Sequence, residues 1–98
     1  MTNASCIIMP SGKFPLGQIV FTQAVDNTVC RDDTARAVIR HCHGDWGDVS
    51  PDDKAANDWA LLSGGRLHSI YHDRAGVAFW IVTEADRSTT TVLLPDDY

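Results

Sequence analysis

The spacing of apolar residues predicts helices in the middle of the chain. The clearest signal is a stripe at i, i+3, i+4 and i+7 formed by Ala35, Val38, Ile39 and Cys42. Asp32 or Asp33 is expected to cap the start of this helix, and Gly44 is expected to end it. A shorter helix is expected before it, through residues 24–30, with Thr22 as its cap.

A second clear helix begins after Ser50, where the capping serine precedes a proline and two acids. We expect this helix to run to about Ser63 and to stop at Gly64 and Gly65. Its buried side chains are expected to be Ala56, Trp59, Ala60 and Leu62. A loop over residues 45–49 separates the two helices.

Runs of β-branched and aromatic residues predict strands at both ends of the chain. Residues 18–22 form the expected first strand. Three further strands are expected as a meander over residues 66–72, 77–83 and 88–94. Residues 73–76 and 85–87 make the turns between them.

This order of elements predicts an α+β fold, because helices precede a run of antiparallel strands. We expect three short helices packed on a small antiparallel sheet of three to four strands, which ends in the β-meander. The 98 residues are enough for one domain, and residues 1–13 are expected to be a flexible N-terminal arm. No apolar run approaches the roughly 20 residues that span a bilayer, and no secretory signal begins the chain.

The excess negative charge lies in two segments. The net charge is −5. Residues 45–58 carry five aspartates against Lys54, and residues 84–98 carry four acids against Arg87. Affinity for nucleic acid comes from clustered Lys and Arg, so direct binding to nucleic acid is not expected. Cys6, Cys30 and Cys42 are an odd set at unrelated spacings, which favours reduced thiols in a cytosol.

The histidines and cysteines do not form a recognisable catalytic or metal motif. His41, Cys42 and His43 are neighbours, and on a helix residues two apart point in nearly opposite directions. His68 and His72 share one face of a strand without a clear third ligand. Cys42 belongs to the apolar stripe, where packing is the expected role. We therefore expect no metal, no cofactor and no catalytic residues.

The tryptophans have different expected positions. Trp59 and Trp80 are expected in the core. Trp46 lies in the loop between the two main helices, where two interpretations stay open. It either fills the gap between the helices, which is the favoured interpretation, or is exposed as an anchor for a partner protein.

The acidic segments are the candidate binding residues. Asp52 and Asp53 partly serve as helix N-terminal acids. Asp52 and Asp58 lie about 9 Å apart along the helix axis, on the order of the spacing of neighbouring phosphates. Such a surface suits a Lys/Arg-lined nucleic-acid channel on another protein, although an ordinary solvated acidic face is the alternative. The full predicted set is Asp45, Trp46, Asp48, Asp52, Asp53, Asp58, Glu84, Asp86, Asp96 and Asp97.

Three stretches of the chain carry a resemblance to a known family. They are Phe14-Pro15-Leu16-Gly17-Gln18-Ile19-Val20, Gly44-Asp45-Trp46-Gly47-Asp48, and Trp80-Ile81-Val82-Thr83-Glu84-Ala85-Asp86-Arg87-Ser88 continuing to Pro95. They resemble small proteins carried on phages and plasmids, whose members are often labelled as subunits of type I restriction-modification systems. The chain lacks the cofactor-binding and catalytic motifs of a methyltransferase and is too short to be one. Residues 23–40 depart from the family pattern.

Some small acidic proteins of this kind are anti-CRISPR inhibitors, and the resemblance implies that role here. It implies a cytoplasmic monomer that binds a type I interference complex, with subtype I-C the first candidate, and blocks target DNA binding through an acidic, partly DNA-mimicking surface. Steric blocking is the alternative to charge mimicry. The partner would be a protein with a basic nucleic-acid-binding surface. One alternative is an accessory protein of a restriction-modification or conjugation system. A second is a small hydrolase or nuclease using His41, His43 or His68 with an aspartate.

Overall fold

The computed structural model describes residues 12–98, and within them three helices pack against a four-stranded sheet. In chain order the elements are β1 (Gln18–Phe21), α1 (Gln23–Thr28), α2 (Arg31–Cys42), α3 (Pro51–Ser63), β2 (Leu67–His72), β3 (Ala78–Thr83) and β4 (Thr89–Leu93), followed by a 3₁₀ turn at Pro95–Asp97. The predicted α+β class is confirmed. The predicted N-terminal arm lies, for residues 1–11, outside the described residues.

The sheet is mixed rather than wholly antiparallel. Its strand order is β1-β4-β3-β2, with the predicted meander forming three neighbouring strands. β1 runs parallel to β4, with Gln18 opposite Thr89 and Phe21 opposite Val92. The helices lie between these two strands in sequence, and a long crossover of this kind is what a parallel pair requires. The sequence predicted β1 but did not specify its neighbour.

One face of the sheet carries the core. Its buried side chains are Leu67 and Tyr71 from β2, Phe79 and Ile81 from β3, and Val92 from β4. All three helices contribute buried residues opposite this face. The opposite face is covered in part by the C-terminal residue Tyr98, whose ring lies 5.5 Å from that of Trp80. Trp80 is therefore half-buried beneath the tail rather than in the main core.

The buried stripe of α2 differs from the predicted one. Ala35 and Ile39 are exposed, while Val38 and Cys42 are buried as expected. The remaining inward positions are Thr34, Ala37 and His41. Thr34 and His41 are polar, and both have hydrogen-bond partners within the fold. Burial of a polar group is tolerated when its bonds are satisfied.

The start of α2 also differs from the prediction. The residue before the helix is Cys30, which makes no side-chain capping bond. Asp32 and Asp33 lie in the first turn, where acidic groups favour the helix dipole. Asp33 instead accepts hydrogen bonds from the backbone and guanidinium of Arg74 at the β2–β3 turn. The predicted capping by Asp32 or Asp33 is therefore wrong.

The ends of α3 are as predicted. Ser50 Oγ accepts a hydrogen bond from the Asp53 N–H, and Pro51 occupies the first helical position. Gly64 ends the helix with a left-handed φ of 87°, which glycine adopts without steric cost. Its N–H donates to the carbonyl of Ala60, one of the last acceptors of the helix.

The buried face of α3 was predicted wrongly. Of the four side chains expected inside, Ala60 alone is buried; Ala56, Trp59 and Leu62 are exposed. The other buried residue of the helix is Asn57. The helix is thus rotated so that a polar side chain faces the sheet and the large apolar ones face outward.

Asn57 explains this rotation. Its Nδ2 donates to the carbonyl of His68 at 2.8 Å, and its Oδ1 accepts from the N–H of His68 at 3.1 Å. The same edge of β2 is completed by the loop before α3, because Ile70 bonds Trp46 O and Asp48 N. An unpaired sheet edge invites association with another strand. Here α3 and the loop supply the missing partners.

Arg87 fixes the other end of α3. Its guanidinium donates to the carbonyl of Gly65 at 2.5 Å and to that of Ala60 at 3.0 Å. Arg87 itself has a positive φ of 62° in the turn between β3 and β4. Its guanidinium also lies over the Phe14 ring, 5.7 Å from the centroid. A single side chain therefore joins the turn, the end of α3 and the core.

Replacing Asn57 by Ala should destabilise the fold by about 2–4 kcal/mol, because the N–H and C=O of His68 lose their partners. The exposed Asn27 on α1 is the matched control, and Asn27→Ala should change the free energy of unfolding by less than about 0.5 kcal/mol. Urea denaturation measures both. Equal, small effects of the two substitutions would show that the edge bonds do not hold α3.

Candidate protein-binding surface

The outer face of α3 combines acidic and apolar side chains. At spacings of three, four and three residues, the exposed positions Asp52, Ala55, Trp59 and Leu62 form one stripe along the helix. The side chain of Trp59 is 68% exposed and that of Leu62 is 84% exposed. We call these four residues the α3 stripe. Two large apolar side chains one turn apart in solvent are characteristic of an interaction site.

Trp46 is buried and is not part of any exposed surface. It is 2% exposed, with its ring 5.5 Å from that of His41 and 6.3 Å from that of Phe14. Its indole N–H donates to Asp58 Oδ1 at 2.9 Å. The interpretation that it fills the gap by the helices is confirmed, and the exposed-anchor alternative is wrong. Trp59, expected in the core, is the exposed tryptophan.

Four of the predicted carboxylates are paired with basic side chains. Their pairs are Asp45 with Arg40, Asp48 with His72, Asp58 with Lys54, and Glu84 with Arg66. The bond with Arg40 is bidentate, at 2.8 and 3.1 Å, and it lowers the pKa of Asp45. Bonds from Trp46 and Lys54 lower the pKa of Asp58. Four of the nine predicted carboxylates are therefore already paired within the chain.

Two more predicted carboxylates complete local turns. Asp86 accepts from the Ser88 N–H, and hydrogen bonding to Ser88 lowers its pKa. Asp97 accepts from the Leu94 N–H and from the hydroxyl of Thr22, which follows β1. Asp97 therefore lies by one edge of the sheet, while α3 is bonded to β2 at the other edge. The ten predicted residues do not form one continuous surface.

Three predicted carboxylates have neither an ion pair nor a side-chain hydrogen bond among residues 12–98. Asp52, Asp53 and Asp96 form no ion pair with any residue between 12 and 98. Asp52 and Asp53 both lie in the first turn of α3, but Asp52 belongs to the α3 stripe, whereas Asp53 lies on the side of the helix that carries Asn57 and Ala60. The N-terminal end of α3 is thus the part of the predicted acidic set that offers free charge to a partner.

A series of hydrogen-bonded polar side chains inside the core was not predicted from the sequence. His41 Nδ1 lies 2.5 Å from Ser69 Oγ, and its Nε2 lies 2.9 Å from Thr83 Oγ1. Thr83 contacts Thr90 Oγ1 at 2.7 Å, and Thr90 donates to the carbonyl of Leu16. The signal available was that His41 precedes Cys42 of the apolar stripe, which places it beside the buried face of α2.

This hydrogen-bonded series of side chains has no access to solvent. His41, Ser69, Thr83 and Thr90 are all fully buried. Burial, followed by the positive charges of His68 and Arg87, lowers the pKa of His41 from 6.5 to about 3. The imidazole is therefore neutral near pH 7 and serves to join α2 to β2 and β3. A serine beside a histidine resembles a nucleophile and its base, but a substrate could not reach this pair.

The remaining histidines and cysteines do not converge on one site. The ring of His68 lies 4.5 Å from that of Trp80, while His72 bonds Asp48 at 2.7 Å. No group of three His, Cys, Asp or Glu side chains among residues 12–98 could hold a metal ion. Cys30 and Cys42 are free thiols, and Cys6 lies outside the described residues.

Comparison with known proteins returned no match to a family model, to a curated protein or to a solved structure. Among the helices of residues 12–98, none is long and apolar enough to cross a membrane.

The two tryptophans should respond oppositely to truncation. Trp46→Ala should cost about 3–5 kcal/mol of unfolding free energy, because it leaves a cavity and removes a bond to Asp58. Trp59→Ala should change it by less than about 0.5 kcal/mol, because its side chain is mostly in solvent. Urea denaturation compares the two. A large loss from Trp59→Ala would mean that α3 buries this side chain.

Stability should fall as the pH is lowered from about 6.5, since the unfolded His41 takes up a proton that the folded one refuses until about pH 3. In this window the unfolding free energy should decrease with a slope approaching 1.4 kcal/mol per pH unit for His41 alone. His41→Gln should flatten the slope between about pH 6.5 and 4.5. Identical slopes in wild type and His41→Gln would contradict the assignment.

Proposed function

We propose that this protein acts by binding another protein through the outer face of α3. The observation that carries this proposal is the exposure of Trp59 and Leu62 on a helix whose polar Asn57 faces the sheet. Tryptophan is enriched among residues that dominate binding energy, and burying such side chains in a partner's pocket removes their contact with water. An amphipathic helix docked in a groove uses this kind of spacing.

The partner should be basic around its pocket. Asp52 lies on the α3 stripe and Asp53 lies in the same helical turn, and neither forms an ion pair with a residue between 12 and 98. The chain as a whole carries a net charge of −5. A field of this sign accelerates association with a positive surface and suppresses association with another acidic one. A basic surface with an apolar pocket is the complementary partner.

The resemblance to mobile-element proteins supports a particular partner. We propose a type I CRISPR interference complex, with subtype I-C as the first candidate, in the bacterial cytosol. Its DNA-recognising subunit would supply the basic surface. A protein bound there by α3 would prevent target DNA from reaching the complex.

Local blocking fits the charge distribution better than imitation of a duplex. A DNA mimic needs carboxylates spaced like phosphates and free to meet cationic side chains. Four of the predicted acids are paired within the chain, and two complete turns. Inhibition would therefore come from the volume of the bound protein, with Asp52 and Asp53 guiding its approach.

The structure selects the substitutions that test this proposal. Asp58 is unsuitable, because its carboxylate accepts the indole N–H of Trp46. The combination Trp59→Ala with Leu62→Ser should weaken binding at least about 100-fold, since two central apolar contacts are lost. Asp52→Lys with Asp53→Lys should mainly slow association, with a smaller effect at high salt. Binding to purified type I-C and I-F complexes is measured by surface plasmon resonance.

The matched control is Asp32→Lys on α2. Asp32 is exposed, lies in the first turn of its helix and has no ion pair within residues 12–98, so its reversal carries a similar cost to the helix dipole. It should leave association unchanged. If the variant that lacks both apolar side chains binds as tightly as the wild type, the α3 stripe is not the docking surface. Capture of a restriction or methylase subunit, and of neither interference complex, would favour the accessory role instead.

A further inference from the structure

A second candidate site contains several arginine side chains. Between α2 and the β2–β3 hairpin is a groove of about 260 Å³. Its aromatic lining comes from Tyr71 and Phe79, both almost fully buried. The basic residues that line it are Arg36, Arg40, Arg74 and His72. We call it the arginine groove. It gathers three of the eight Lys and Arg residues of an acidic chain.

Two of the arginines that line the groove form ion pairs. Arg74 makes bidentate bonds with Asp33, at 3.0 and 2.9 Å, which join the hairpin turn to α2. Arg40 makes a similar pair with Asp45 and lies over the Tyr71 ring, 4.9 Å from its centroid. Each guanidinium has five N–H donors, and these bonds use two of them. The others bond no side chain or carbonyl among residues 12–98.

Arg36 supplies a free positive charge. It lies one helical turn before Arg40 on α2, so the two side chains are neighbours. Arg36 is exposed and forms no ion pair within the described part of the chain. Its charge therefore remains available at the mouth of the groove.

The two carboxylates that line the groove are already engaged. Asp33 is held by Arg74, which lowers its pKa to about 2. Asp73 accepts backbone N–H bonds from Cys30, Ala75 and Val77, which close the hairpin turn. Neither carboxylate is therefore a free acceptor for Arg36. The groove presents an excess of N–H donors to any ligand that enters.

We propose that the arginine groove binds the phosphate group of a small ligand. A phosphate offers several acceptor oxygens to planar guanidinium forks, which match its geometry better than point charges do. The volume lies just below the range typical of drug-sized ligands, so it suits one phosphate and the group attached to it. This site is separate from the α3 stripe.

The test is a titration of the full chain, followed by ¹H–¹⁵N NMR, with inorganic phosphate, adenosine monophosphate and phosphoserine at constant ionic strength. Saturable shifts are expected at Arg36, Arg40, Tyr71 and Arg74. Arg36→Ala should weaken binding about tenfold, because one charge-assisted contact is lost. Tighter binding of the nucleotide identifies a nucleotide site, and tighter binding of phosphoserine identifies a phosphorylated side chain.

Arg31→Ala is the control. Arg31 lies on the same helix, is exposed, and is paired with Asp26 outside the groove. It should leave the affinity unchanged. Both arginines are exposed, so both variants should fold, and their amide spectra check this. The proposal is overturned by the absence of saturable shifts for all three ligands, or by equal losses from Arg36→Ala and Arg31→Ala.

Discussion

The position of α3 depends on two hydrogen bonds between the Asn57 amide and the backbone of His68. The outer edge of β2 has donors and acceptors that the sheet cannot satisfy, and a buried orphan of this kind costs about 1–3 kcal/mol. An amide side chain supplies one donor and one acceptor, as a neighbouring strand would. Packing then follows the edge: Ala60 faces inward, Arg87 holds the end of the helix, and Trp59 and Leu62 remain in solvent. The exposed stripe is thus a consequence of closing the sheet.

The sequence predicted the elements well because their ends depend on local chemistry. Ser50, Pro51 and Gly64 act within one turn of their own positions, and the meander strands are bounded by short turns. The faces of the helices were less predictable because they depend on residues distant in sequence. His41 is buried because Ser69 and Thr83 on the strands form hydrogen bonds with both of its ring nitrogens. Asn57 is buried because it bonds the edge of β2 that no other strand pairs with. The spacing of apolar residues in a helix carries no information about these hydrogen-bonding groups on distant strands.

In the candidate site, too, features set by local chemistry could be predicted and features set by distant residues could not. The acidic segment over residues 45–58 includes the first turn of α3, where Asp52 and Asp53 form no ion pair within the described residues, and its role in binding stays a prediction. The other predicted residues could not be assigned from sequence, because ion pairs such as Asp48 with His72 join positions far apart in the chain. Trp59 is exposed rather than buried because α3 turns Asn57 and Ala60 toward the sheet, whereas Trp46 is buried as the favoured interpretation had it. The arginine groove has the same origin, since α2 and the β2–β3 hairpin meet only in the folded chain.

The most direct test of the account is hydroxyl-radical footprinting of the protein alone and bound to a purified type I-C interference complex. In the free protein Trp59 should be oxidised readily and Trp46 scarcely at all, in keeping with exposures of 68% and 2%. In the complex Trp59 and Leu62 should become protected, while Ile39, which is exposed on α2, should stay reactive. Protection confined to residues away from α3, or no protection in a complex that forms, would contradict the account.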